Sequence, residues 1–267
     1  MTWHAFNHRH CEIFAGVECK IISMMINIFE RRLLIGLVVA SPFAFTGSTI
    51  APAQQRDTAS VIRQVNAAVK ARNDNLAGYT VTEHYAVYRS NDEIHPIAEM
   101  TVMTTYKMES GKSYTIISQT GSGIVRDLVL HAILDNEKQL NQPGIREGTW
   151  ITSANYEMQL KPGGTQPLDG RDCLVLALIP KHKAPYLIEG SLWADAKDGS
   201  IVQVQGTASK SSSLFAGPTQ VMRQYANIGG FSQATHVRAV SNSFIFGETI
   251  VTIDYRDYHI QLRAAPD

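Results

Sequence analysis

The sequence predicts a mainly β (α+β) protein. The expected core is a single curved antiparallel sheet of about ten strands, an unclosed half-barrel with helices covering its concave side. Three observations predict it. From residue 79 onward, short runs rich in Val, Ile, Thr and Tyr recur between turns marked by Gly, Asn, Asp and Pro. The strands follow one another without a βαβ rhythm, which points away from a parallel sheet. Two stretches carry apolar residues at helical spacing, and each must bury its stripe against something. An antiparallel sheet this wide tends to curl, and incomplete closure leaves an apolar groove.

The first helix starts at an Asp57 or Thr58 cap. Ala59, Val61, Ile62, Val65, Ala68 and Val69 fall on one face, and Gly78 marks the exit. Tyr79 to Tyr88 alternates loosely and reads as a strand, followed by a turn at Ser90-Asn91-Asp92. Ile97 to Met108 and Ser113 to Gln119 complete a three-stranded meander, joined by the tight Glu109-Ser110-Gly111-Lys112 connection. A second helix runs from about Ile124 to Leu140, with Ile124, Val125, Leu128, Val129, Ala132 and Ile133 as its apolar face. Pro143-Gly144 ends it. This helix interrupts a series of strands, so it is expected across the sheet as a lid or inner plug.

Strands resume at Asn155 to Lys161, with turns at Pro162-Gly163-Gly164 and Leu168-Asp169-Gly170. Arg171 to Pro180 is nearly all apolar, so both its faces are expected to be covered. Tyr186 to Ala194 and Ser200 to Ser209 form a hairpin through Asp198-Gly199. After a polar loop tipped by Leu214-Phe215 come Gln220 to Ile228, Thr235 to Phe246 and Glu248 to Ile260. In the last, Val251, Ile253 and Tyr255 alternate with Thr252, Asp254 and Arg256, which leaves one face wet.

Upstream lies an export signal. Arg31-Arg32 precede an apolar run from Leu33 to Ala40, and Ala51-Pro52-Ala53 offers a small-x-small cleavage site. Residues 25–53 therefore read as a signal peptide cut near Ala53, and 54–267 as one exported, periplasmic domain. The run is short for a membrane span and is broken by Pro42, although an uncleaved anchor is the competing reading. Met24 or Met25 suits a start of translation, which sets residues 1–24 aside. With them goes the one metal-like cluster, His4, His8, His10 and Cys11.

Charge excludes one large class of function. Lys plus Arg number 24, as do Asp plus Glu, so there is no basic excess for nucleic acid. Cys173 would be the only cysteine after processing. It lies in an apolar run and reads as a small buried hydrophobe. No G-x-S-x-G elbow, H-E-x-x-H, P-loop or G-x-G-x-x-G occurs. Ser122 and His131 could be imagined as nucleophile and base, but turn chemistry explains the Gly121-Ser122-Gly123 run better. His84 and His259 lie on strands and could be neighbours in space. Glu83, Asp254 and Asp257 read as solvated strand positions. No catalytic residue, metal site or cofactor is expected. Lys181-His182-Lys183 reads as a charged turn, or as an electrostatic contact for a lipid head group or acidic partner.

From Leu168 to Ile260 the order of motifs resembles a known family. The stretches are Leu168-Asp169-Gly170-Arg171, the apolar run through Leu176, Leu192-Trp193-Ala194-Asp195, Asp198-Gly199-Ser200-Ile201-Val202 and Val221-Met222-Arg223-Gln224-Tyr225. They resemble outer-membrane lipoprotein-sorting proteins of the LolA-like superfamily. The resemblance implies an exported half-barrel with helices over its mouth and an apolar cavity for lipid or lipoprotein acyl chains. It implies no enzymatic activity and no metal; transient contact with a membrane surface is a further expectation. On that reading Met100, Val102, Leu128, Val129, Leu176, Val204, Met222 and Ile253 are the expected cavity lining. A regulatory module on the same scaffold would instead bind another envelope protein through Leu214 and Phe215. An uncharacterised hydrolase is a third reading.

Overall fold

The computed structural model describes residues 57–211, 217–243 and 247–264. Ten strands form one antiparallel sheet: β1 (Leu76–Arg89), β2 (Ala98–Lys107), β3 (Gly111–Gly121), β4 (Tyr156–Leu168), β5 (Arg171–Pro180), β6 (Ile188–Asp195), β7 (Ile201–Ala208), β8 (Gln220–Ile228), β9 (Phe231–Ser243) and β10 (Gly247–Leu262). Their spatial order is β3-β2-β1-β10-β9-β8-β7-β6-β5-β4. Every neighbour is consecutive in sequence except β1 and β10, which pair the first strand with the last. The sheet is not closed: β3 and β4 are its free edges. The chain crosses from one edge to the other through a helical excursion. The helix that interrupts the strand series therefore lies in the connection between the two edge strands.

α1 (Thr58–Asn75) begins where the Asp57 side chain accepts from the Ala59 amide, at 3.2 Å. Val61 and Val65 are buried one turn apart, with Ile62 and Val69 beside them. They pack on Leu174, Leu176, Leu178, Leu192 and Val204 of β5–β7. The helix ends at Asn75, earlier than Gly78 suggested. Asn75 Nδ2 donates to the Ala71 carbonyl at 2.8 Å, and the chain passes directly into β1, which contains Gly78.

The second helix departs from one regular rod. Ser122 caps a single turn, α2 (Gly123–Val125), which leads into a π-helical turn at Arg126–His131 and then α3 (Ala132–Leu140). The wide turn re-phases the helix. Val125, Val129, Leu130 and Leu134 are buried, and Ile124 and Leu128 from the expected stripe face solvent. The buried set packs on Tyr85, Val87, Met100, Val102, Val237, Val251 and Ile253.

Three irregularities shape the sheet. Pro162-Gly163-Gly164 is a bulge inside β4 rather than its end, tolerated because β4 is an edge strand. Gly190 on β6 faces Gly206 on β7, so two backbones approach with no side chain between them. In β10, Asp257 takes a left-handed φ of 56° at a register shift against β1. That bulge puts Tyr258, three residues after Tyr255, on the same concave face.

As expected, β5 is covered on both sides: Cys173, Leu174, Val175 and Leu176 are all buried. Cys173 is a free, buried thiol whose pKa burial pushes up.

Candidate functional site

The two helices divide the concave face. α1 covers the β4–β7 half, and the π turn with α3 covers the half built from β1–β3, β9 and β10. Between them lies a cavity of about 440 Å³. α1 contributes Val69 and Arg72, α3 contributes Ile133 and Glu137, and the loop before β4 contributes Trp150 and Ile151. Its floor is the concave face of β8–β10: Val221, Arg223 and Tyr225; Val237 and Ala239; Val251, Ile253, Tyr255 and Tyr258. The alternation of each strand explains this set, since side chains two apart share a face. The helix–loop side is pinned by Asn66. Its amide donates to Ser153 Oγ at 2.7 Å, and its carbonyl accepts from the Ser153 amide at 2.9 Å.

One end of the cavity is polar and holds a buried charge cluster. Lys112 on β3 pairs with Glu137 on α3, and its Nζ also lies 3.7 Å from Glu83 Oε1 on β1. Glu83 is 0% exposed, and its other carboxylate oxygen accepts from the Tyr85 hydroxyl. Burial pushes the Glu83 carboxyl above its ordinary value, with Lys112 pulling partly against it. Burial would also raise Glu137, but the Lys112 ammonium outweighs it and holds that carboxyl low. Burial works against the Lys112 charge too, yet the surrounding acidic groups, Glu137 foremost, hold its pKa well above the usual value. Tyr79, Tyr255 and Tyr258 wall this end, with Tyr106 packed behind Tyr79. Tyr79 stacks on Tyr106 at 5.0 Å between ring centres, and Tyr258 donates to the Ala234 carbonyl at 2.8 Å.

A second cation, Arg223, belongs to the floor. Its register partner is Val237, and no carboxylate forms an ion pair with it among the described residues. Its Nε is buried without a hydrogen-bond partner. The neighbouring Tyr225 raises its pKa further, against the opposing effect of burial. Arg72 is engaged differently, donating to Gln233 Oε1 at 3.1 Å.

The eight residues expected to line a cavity fall in several places. Ile253 lines it. Met100, Val102 and Val129 are packed between the second helix and the sheet, and Leu176 and Val204 are packed beneath α1. Leu128 lies on the outside of the π turn, 47% exposed. Met222 points to the face opposite Val221 and Arg223, both of which line the cavity. Leu214 and Phe215 lie outside the described residues.

Other expectations need correcting. Glu83 is not a solvated strand position: it shares the concave face with Val81, Tyr85 and Val87, all fully buried. His84 and His259 are not cross-strand neighbours. His84 pairs with Asp254 and His259 with Thr80, farther along the same ladder. Asp254 instead meets His236 Nδ1 at 2.8 Å. Ser122 is occupied as a helix cap, its Oγ accepting from the Val125 amide at 3.4 Å, while His131 contacts Asp127. Among the described residues no cluster of His, Cys, Asp and Glu could hold a metal. No helix there is long and apolar enough to cross a membrane.

No protein-family model matches the chain, and no curated protein matches its sequence. Solved structures do resemble it. A LolA superfamily protein from Nitrosomonas europaea is 11% identical, covering 78% of this chain and 94% of its own, with a TM-score of 0.41. A DUF1329 family protein from Desulfovibrio piger is 14% identical, covering 77% and 95%, with a TM-score of 0.39. A domain named for outer-membrane lipoprotein sorting, from Vibrio parahaemolyticus, is 12% identical, covering 74% and 91%, with a TM-score of 0.43.

Proposed function

We propose that this protein is a non-enzymatic periplasmic carrier or receptor that holds a lipid or lipoprotein acyl moiety between α1 and α3. One observation carries the reading. The concave face of the sheet is not filled by its own side chains, and the 440 Å³ left open is walled by Val, Ile, Trp and Tyr from both helices, the loop before β4 and the sheet. Pockets of a few hundred Å³ with this composition suit small apolar ligands. Each methylene moved from water into such a space contributes about 0.8 kcal/mol. An acyl chain of about fifteen carbons therefore gains on the order of 12 kcal/mol before the cost of association, enough for micromolar or tighter binding. The Arg31–Ala53 segment, with its basic start, apolar run and small-residue cut site, supports export.

The test is uptake of a neutral fluorophore, N-phenylnaphthylamine, by delipidated protein. Saturable, near-stoichiometric uptake that acyl compounds displace is the expected result. Absence of uptake by folded, delipidated protein overturns the proposal.

A further inference from the structure

We infer that the preferred ligand is an amphiphile with a single acyl chain and an anionic carboxylate head, whose head pairs with Arg223. The inference rests on the carrier reading above and adds the number of chains and the chemistry of the head.

Volume sets the number of chains. At roughly 30 Å³ for each water-sized group, the share a water occupies in the liquid, 440 Å³ accommodates about fifteen heavy atoms. A single fatty-acyl chain is of that order. A diacyl lipid or a triacylated peptide needs two or three times as much and would leave chains outside.

Charge sets the head. The lining carries four cations, Arg72, Lys112, Lys210 and Arg223, against a single acid, Glu137. Glu137 makes its direct ion pair with Lys112, which also faces Glu83, and reaches Arg223 only at longer range. Arg72 is tied to Gln233, and Lys210 is exposed at the rim. Arg223 stands in the floor beside Tyr225, beyond ion-pair distance of any carboxylate among the described residues, with a buried Nε–H that finds no acceptor. A buried guanidinium with an unpaired donor and no carboxylate in direct contact is costly. A carboxylate matches its planar fork and gives the free Nε–H its missing acceptor in a bidentate pair. A ligand bringing that carboxylate with its own acyl chain uses Arg223 and the apolar walls together.

The experiment measures displacement of N-phenylnaphthylamine from full-length, delipidated protein by four competitors: palmitate, hexadecanol, a single-chain lysophosphatidylglycerol and dipalmitoyl phosphatidylglycerol. Palmitate is expected to bind about tenfold or more tighter than hexadecanol, the size of one charge-assisted hydrogen-bonded contact. The two-chain lipid is expected not to displace the probe. In Arg223→Gln the preference for palmitate disappears and hexadecanol binding persists, which also shows that the variant is folded. Arg223→Lys retains part of the preference. Equal binding of palmitate and hexadecanol by the native protein overturns the inference and leaves the carrier reading intact. So does tighter binding of either phospholipid. Failure to bind the neutral probe or any competitor overturns the carrier reading itself.

Discussion

Lys112 on β3 and Glu137 on α3 form an ion pair at the polar end of the cavity, joining an edge strand of the sheet to the helix that bounds the opening. Both are largely withdrawn from solvent, at 8% and 20% side-chain exposure. Their value lies less in net attraction than in what happens when one partner goes. Lys112→Met leaves two carboxylates, Glu83 and Glu137, without their shared cation. The expected loss is about 3–5 kcal/mol in urea denaturation. The double variant Lys112→Met/Glu137→Leu regains a large part of it, because one stranded charge goes too. A double variant no more stable than Lys112→Met would contradict this account.

The same cluster predicts opposite pH responses for its two acids. Glu83 has a folded-state pKa above its ordinary 4.5, so the folded protein holds the extra proton in the window above that value. Its contribution to stability is therefore lost as pH rises through that window. Glu137 lies below 4.5, so its contribution is present above 4.5 and is lost as pH falls through its folded-state pKa. Denaturation at about pH 4 and about pH 8 separates them. Glu83→Gln is relatively less damaging at the higher pH, and Glu137→Gln relatively more damaging there. Matching trends in the two variants would refute the assignment.

Much of this fold is legible in local chemistry, and the parts that are not have specific reasons. The Asp198-Gly199 turn and the alternation in β10 announce strand and face directly. The cap at Asp57 and the Val61–Val65 spacing announce α1. The π turn is invisible because helical periodicity assumes a uniform 3.6-residue repeat, and one wide turn moved Leu128 from the inner face to the outer. The buried charge of Glu83 was discoverable. It occupies the odd-numbered register of Val81, Tyr85 and Val87, and a charged residue inside an apolar register signals a partner across the core. Arg223 carries the same signal between Val221 and Tyr225. What the sequence could not convey is the division of one concave face between two helices, which decides whether Val204 packs or Val237 faces open space.

The glycine pair Gly190 and Gly206 marks a point where β6 and β7 have no room for side chains. A Cβ on Gly206 would sit 2.8 Å from the Gly190 Cα, and one on Gly190 would sit 2.6 Å from the Gly206 Cα. Backbone cannot step aside as a side-chain tip can. Gly206→Ala is expected to cost about 1–3 kcal/mol, seen as a lower denaturation midpoint. Gly206→Ser should cost at least as much, because the obstruction begins at Cβ, and an unchanged midpoint in both variants would contradict the close approach.

Enlarging a side chain distinguishes open space from packed core. Ala239 on β9 lines the cavity, between Val221 and Val251 in register. In Ala239→Trp the new ring enters space that no protein atom occupies. Stability is expected to stay within about 1 kcal/mol of the native protein, while uptake of N-phenylnaphthylamine falls at least about tenfold. Val204 is 1% exposed in the cluster beneath α1, where every direction is already filled. Val204→Phe is expected to destabilise by about 1–3 kcal/mol and, in molecules that remain folded, to leave probe affinity nearly unchanged. Loss of stability without loss of binding in Ala239→Trp would mean that the space beneath the helices is not where the ligand sits. The carrier reading would then need another site.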